Sequence, residues 1–238
     1  LKNLEYRGYD SWGVACKTEK GTVIKKDTGK ISAVNADEFS HGCQLAIAHT
    51  RWATHGGVTA ANSHPHTNAD GSIVVVHNGI IENYQELRKE LVAKGHTFLS
   101  ETDTEIIPHV IEEEMKTTSD FASAVRNACT KFEGRYGILA FHKTSDILVA
   151  TRTGSPLIVG VSKEDGYFIA SDIPAFMEHT KVVQYLDDGE MVVTDGKSIL
   201  FTDLITGEEK PKREIEITWS VEQAQKGEYA HFMLKEIM

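Results

Sequence analysis

The stretch IVVVHNGIIEN, residues 73–83, decides how the rest of the chain is read. Its run of β-branched residues reads as a buried strand over 73–77. His77, Asn78 and Gly79 then stand at the mouth of that strand, where an apolar core has no use for them. An Asn side chain offers an N–H donor, and glycine leaves its own backbone N–H unobstructed. Two such donors at a strand end suit an oxyanion formed when a nucleophile attacks an amide. Asn-Gly is also a common turn. A hairpin turn would lead into a second strand, whereas Ile80 and Ile81 lead into a helix opened by Asn83.

That helix has Glu86 as a capping partner, an apolar stripe of Tyr84, Leu87, Leu91 and Val92, and Gly95 as its end. Thr102-Asp103-Thr104-Glu105 reads as a second capping box, opening a helix to about Lys116. A third helix, from Asp120 to Phe132, carries Phe121, Val125, Ala128, Cys129 and Phe132 on one face. Upstream, 11–17 and 43–50 read as strands. Residues 51–72, rich in Gly, Thr, Asn and His, read as a long loop of the kind that is usually functional. After Gly134, strands are expected at 135–142, 147–152, 157–161, 166–170, 182–186, 190–194 and 198–202. Turn signals such as Asp187-Asp188-Gly189 separate them. Grouped helices beside many hairpins predict α+β layers rather than a parallel sheet. Residues 211–226 read as a charged linker, with a helix beginning in EYAHFMLKEIM.

Composition narrows the function. The 238 residues are 40% hydrophobic and 25% charged, with a net charge of −10. That balance argues against a general nucleic-acid binder, since Lys210-Pro211-Lys212-Arg213 is the densest basic run. No apolar run approaches the ~20 residues of a membrane helix. Cys16, Cys43 and Cys129 are odd in number and widely spaced. They are expected to be reduced, buried small hydrophobes in a cytoplasmic protein. The chain begins at Leu1 and ends inside a helical pattern, which leads to the expectation of an internal fragment.

Other polar stretches stay open on the residues alone. Arg51, in HTRWATHGG, suits a two-pronged grip on a carboxylate, or a solvated surface. Asp103 suits a substrate ammonium, or the dipole of the helix it precedes. His49, His55, His64, His66 and His77 suit a zinc site, or a loop of mutually hydrogen-bonded imidazoles. Arg7 and Asp10, in EYRGYDS, suit a structural brace, or Arg7 faces a site.

Together, EYRGYDSWGVA, AHTRWATHGG, SHPHT, VVHNGIIENYQELR, SETDTEII and RTGSPLIVG resemble, in order, the family of class II glutamine amidotransferase (glutaminase) domains found in glutamine–fructose-6-phosphate aminotransferases. The resemblance implies an αββα sandwich of the N-terminal-nucleophile hydrolase type, here lacking its first strand and most of its first helix. It implies an amidotransferase domain over 1–210, and 211–238 as linker and the start of a helix toward sugar-isomerase domains. Glutamine would be hydrolysed, and its ammonia would pass through a channel to fructose 6-phosphate, giving glucosamine 6-phosphate for amino-sugar biosynthesis. Neither metal nor organic cofactor is implied; homodimerisation through the sugar-isomerase domains is.

The resemblance assigns Arg51 to the glutamine α-carboxylate and Asp103 to its α-ammonium. Trp52, Thr54 and His55 fall in a loop covering the substrate, with Trp52 as the channel gate. Asn78 and the Gly79 N–H form the oxyanion hole, and Arg7 lies near the nucleophile. The family's N-terminal cysteine nucleophile has no counterpart in residues 1–238, so the fragment alone is expected to be inactive. Another biosynthetic amidotransferase domain, or a non-catalytic glutamine-binding regulatory module, is the alternative.

Overall fold

The computed structural model describes residues 1–35 and 42–218. Its organising strand is longer than the sequence indicates. β5 runs Ile73–Ile81 without a break through Asn78 and Gly79. It follows β1 (Ser11–Thr18), β2 (Gly21–Thr28), β3 (Leu45–Arg51) and the short β4 (His66–Thr67). Helices α1 (Tyr84–Ala93), α2 (Ile106–Met115) and α3 (Phe121–Cys129) come next. Then come β6 (Gly134–His142), β7 (Leu148–Thr153), β8 (Ile158–Ser162), β9 (Gly166–Ala170) and β10 (Val182–Tyr185). β11 (Glu190–Thr194), β12 (Ile199–Asp203) and β13 (Ile215–Glu216) complete the order.

Three antiparallel sheets result, ordered β12-β11-β7-β6-β5-β4, β2-β1-β3 and β13-β10-β8-β9. The six-stranded sheet lies at the centre because both of its faces are apolar. Ile73, Val75 and Ile81 of β5 join Ile106, Ile107, Ile111, Phe121, Val125 and Phe132 in a core under the helices. Alternation sends Val74 and Val76 to the other face, where Phe141, Ala15 and Ile47 meet them. Further along that face, Ala150, Val192 and Phe201 pack against Leu157, Val159 and Leu186. The chain is thus a helical layer on one sheet, itself packed on two smaller sheets. Two short 3-10 helices, Lys2–Arg7 and Ile173–Ala175, neighbour one another beside them.

Several local expectations change. No capping box forms at α1: the Asn83 amide donates to the Lys131 carbonyl at 2.9 Å and accepts from the Glu133 N–H at 3.1 Å, tying the start of α1 to the end of α3. Val92 is 55% exposed, and the buried stripe is Leu87 and Leu91. Glu105 accepts from the N–H groups of Leu99 and Ser100 instead of capping α2 in a box. Asp120 does cap α3, accepting from Ser123 N–H at 2.8 Å. β2 was not foreseen because its KKDT end and exposed face carry no apolar alternation.

The cysteine expectation is overturned. Cys16 and Cys43 are joined in a disulfide, with Cα atoms 5.6 Å apart. Cys16 lies opposite Ala46 in the β1–β3 ladder, and Gln44 N–H donates to the Lys17 carbonyl, so the chain entering β3 brings Cys43 alongside. A register between distant strands is invisible to spacing counts, and the argument for a reducing compartment from unpaired cysteines falls with it. Cys129 is a free, buried thiol, as expected. Residues 211–218, read as linker, instead supply β13, which pairs with β10, and Ile217, which is buried. Lys212 is drawn onto the fold by Asp187 and Glu190, both 2.6 Å away. The helix anticipated at the C-terminus lies outside the described residues. Among the described residues no helix is long and apolar enough to cross a membrane.

Candidate active site

A cavity of about 570 Å³ opens between β3, the end of β5, and the segment after β9. Arg7, Arg51, Trp52, Thr54, His55, Asn78, Gly79 and Asp103 all line it. They arrive from four separate places: the 3-10 helix, the end of β3 with the turn after it, β5, and the connection between α1 and α2.

Asn78 lies on the same strand face as Val74 and Val76. Those two are buried under the small sheet, whereas Asn78 emerges into the cavity. Among the described residues its side-chain amide has no hydrogen-bond partner. Gly79 follows with φ +137, a conformation costly to any residue with a Cβ. A Cβ there would sit 2.0 Å from the Arg135 carbonyl oxygen, because Gly79 pairs directly with Tyr136 of β6. The dipeptide is therefore not a hairpin turn; it is strand interior held tightly against its neighbour.

Arg51 ends β3 and is 6% exposed. Its guanidinium donates to the carbonyls of Gly57 at 3.2 Å and Gly56 at 3.5 Å, and closely to that of His55. The turn after β3 is thereby folded back over the cavity. Asn62 and Glu101 fix its far side: Asn62 Nδ2 donates to the Gly57 carbonyl at 3.0 Å and to Glu101 at 3.2 Å. Burial lowers the pKa of Arg51 from its ordinary value, while Asp10 and Asp103 oppose that shift. A guanidinium starting above 12 remains charged near neutrality. Trp52 is 57% exposed at the rim, with its ring 5.4 Å from that of Tyr9.

Asp103 is 5% exposed. It accepts from Ile81 N–H at 2.9 Å, with His77 Nδ1 4.0 Å away. That backbone bond locks the α1–α2 connection onto the end of β5 and fixes the carboxylate beside the strand that carries Asn78. Arg7 does not brace Asp10. It bonds Asp172 at 3.2 Å, and Asp10 instead accepts from Ala53 N–H at 2.9 Å.

The histidines stack on one another and bond to threonine hydroxyls and backbone rather than ring to ring, and His49 Nδ1, His55 Nδ1 and His77 Nε2 are buried without a hydrogen-bond partner among the described residues. His49 and His64 stack at 4.2 Å. His64 Nδ1 accepts from His77 N–H at 3.3 Å, His77 Nδ1 meets Thr104 Oγ1 at 2.9 Å, and His66 Nε2 meets Thr102 Oγ1 at 3.2 Å. Burial holds His77 down to about 4, against the pull of Asp103, and His49 down to about 3. These rings are neutral scaffold at pH 7. With Thr102 and Thr104 they form a buried polar floor that the sequence reading missed. The available signal was His77 at the end of the apolar run IVVV and the polar stretch TDTE set directly before the apolar start of α2. Lys26, also unforeseen, donates to the Ser63 and Pro65 carbonyls at 2.8 and 3.0 Å and holds the 61–65 turn.

No described cysteine serves the cavity. Two are bonded to each other, and burial pushes the Cys129 thiol up to about 12. Such a thiol is inert at neutral pH.

A family model for the glutamine amidotransferase domain matches residues 49–178, and the chain belongs to that family. At the level of particular proteins, it is 51% identical over 240 residues to the glutamine–fructose-6-phosphate aminotransferase (isomerizing) of Methanothermobacter thermautotrophicus. It is 47% identical to that of Pyrococcus horikoshii and 44% identical to that of Thermus thermophilus. The alignments take in all of this chain but only 40%, 40% and 39% of those relatives. The fold is similar to that of glutamine phosphoribosylpyrophosphate amidotransferase from B. subtilis, with TM-score 0.71 and 23% identity over 85% of this chain and 44% of that one. A predicted glutamine amidotransferase from Pseudomonas aeruginosa gives TM-score 0.55 at 17% identity, covering 80% of this chain and 87% of that one.

Proposed function

We propose that this chain is the glutamine-binding and amide-activating part of a longer enzyme that converts fructose 6-phosphate to glucosamine 6-phosphate. One observation carries the reading: groups suited to both poles of a free amino acid, and to the oxyanion of its side-chain amide, line a single cavity. Arg51 holds the α-carboxylate and Asp103 the α-ammonium. A residue inside a peptide presents neither charge, so this pairing selects free glutamine. With both ends fixed, the side-chain amide is directed at Asn78 and Gly79.

A cysteine thiol then adds to the amide carbon, its proton passing to the departing nitrogen; the C–S bond forms as the C–N bond breaks, ammonia leaves, and water hydrolyses the resulting thioester to glutamate. Negative charge grows on the carbonyl oxygen during attack, and the Asn78 amide and the Gly79 N–H stabilise it. Strand alternation supports the second donor. The N–H groups of His77 and Ile81 are used by His64 and Asp103 on the edge away from β6. The same alternation predicts that the Gly79 N–H, between them, faces that edge beyond the reach of β4, which pairs only with Val74 and Val75. Arg7, in the short helix beside the cavity, lies near the attacking group.

Trp52, Thr54 and His55 cover the bound substrate, with Trp52 gating ammonia transfer. The proposal places the attacking cysteine outside residues 1–238, so these residues alone do not turn glutamine over. The amidotransferase domain expected over 1–210 extends to residue 218, since β13 and Ile217 pack on the fold, and the residues that follow connect it to sugar-isomerase domains, through which the cytoplasmic enzyme forms a homodimer. The testing experiment compares glutamine-dependent with ammonia-dependent glucosamine 6-phosphate synthesis in the full-length enzyme. Arg51→Ala is expected to impair the first and spare the second; equal loss of both refutes a glutamine-specific role.

A further inference from the structure

On the helical face, away from the cavity, His96, His109 and Glu112 bring one ligand atom each into a small cluster. His96 Nδ1 lies 2.9 Å from His109 Nδ1 and 3.5 Å from Glu112 Oε2, and His109 Nδ1 lies 3.7 Å from that oxygen. Four ligands at zinc distances of ~2.0–2.1 Å stand ~3.3 Å apart in a tetrahedron, a spacing those three sides bracket. We propose that His96, His109 and Glu112 form a binding site for a divalent transition metal such as zinc, with a fourth position for water.

The surroundings fit that chemistry. His109 and Glu112 are three residues apart on α2 and therefore share a helix face. His96 is set opposite them by the end of α1: Gly95 takes φ +94, and His96 N–H bonds the Leu91 carbonyl at 3.0 Å. His96 Nε2 contacts Glu113 Oε1 at 2.8 Å. A carboxylate on the remote nitrogen directs the other lone pair toward a metal, as it does for metal-bound imidazoles generally. Glu112 Oε2 is buried with no hydrogen-bond partner among the described residues, an acceptor aimed at the two rings. His109 is 1% exposed and packs 4.7 Å from the Phe98 ring, so its rotamer is fixed. Ligation uses both Nδ1 lone pairs, so the proton lying between the two Nδ1 atoms is released to solvent as the metal binds. The ion would fasten residue 96 to α2 and so brace the 96–105 connection that delivers Asp103.

Calorimetric titration of the metal-free, full-length protein with zinc chloride tests this, alongside cobalt(II) substitution read by visible absorption. One ion per chain is expected, with a tetrahedral cobalt spectrum. Glu112→Gln should weaken zinc binding at least tenfold, and His109→Gln should remove it. Glu113→Gln should weaken it by ~10–100-fold, as loss of such a supporting carboxylate does elsewhere. Circular dichroism checks that each variant is folded; Glu112, part-exposed, serves should His109→Gln fail to fold. Absence of one-to-one binding at micromolar zinc, or binding unchanged in Glu112→Gln and Glu113→Gln, overturns the proposal.

Discussion

Replacing Gly79 with alanine isolates the feature on which the site is built. The added Cβ would stand 2.0 Å from the Arg135 carbonyl oxygen, 2.8 Å from its carbon and 2.9 Å from the Tyr136 Cα. All three are backbone of β6, which is fixed on its other side by β7. The φ of +137 adds strain of about 1–2 kcal/mol for a residue with a Cβ. Forcing an atom into packed surroundings adds about 1–3 kcal/mol. The expected destabilisation is therefore ~2–5 kcal/mol, against a total of ~5–15 kcal/mol for a domain. At ~2–4 °C per kcal/mol for this chain length, the midpoint should fall by ~4–20 °C.

Gly71→Ala is the control. Gly71 also has positive φ, +67, but nothing lies within 4 Å of its would-be Cβ. It should show the conformational strain alone. Urea denaturation of the wild type and both variants measures the difference. Equal losses in the two variants would mean that the strand does not run closely paired through Gly79, and the route from β5 to the oxyanion site would be lost.

Asn78→Ala should lower kcat for glutamine by ~10²–10³, as loss of an oxyanion donor does, with little change in KM; steady-state glutaminase kinetics decides. Arg51→Ala should raise KM for glutamine by roughly tenfold to a hundredfold, the worth of a charged hydrogen bond of ~1.5–3 kcal/mol, and an unchanged KM refutes the clamp. Stability should fall as pH drops from about 6.5 toward 4. Buried His77 and His49 have folded pKa values lowered to about 4 and about 3, so in that window the unfolded chain binds more protons than the folded one. Urea midpoints equal at pH 7 and pH 5 would contradict this; the lowered carboxylates of Glu113 and Asp70 act in the same direction but chiefly below about pH 5, as the unfolded chain takes up protons in the ordinary carboxylate range.

Where packing follows from alternation or helical period, the sequence was legible. The apolar face of α3 and strands β6 to β12 came out within a residue or two, because their alternation is written in their own residues. β2 did not, because its exposed, lysine-bearing surface has no such pattern. The Cys16–Cys43 pairing depends on strand register across 27 residues, which no local signal encodes. The capping boxes were misread for a related reason. Asn83 and Asp103 are engaged by segments that the fold brings close, and Glu105 turns back onto the N–H groups of Leu99 and Ser100 instead of the helix start. His77 and Asn78 were visible as departures from an apolar strand, and Arg51 and Asp103 as charges in short polar stretches. Their convergence on one cavity was implied by the family resemblance and by no local pattern, since it depends on three layers stacking.

The most direct measurement is the crystal structure of the protein with glutamine bound. The α-carboxylate should lie on Arg51 and the α-ammonium on Asp103, with the side-chain carbonyl oxygen within hydrogen-bond distance of both Asn78 Nδ2 and the Gly79 N–H. Glutamine seated with its side-chain amide away from those two donors, or in another cavity altogether, would contradict the account.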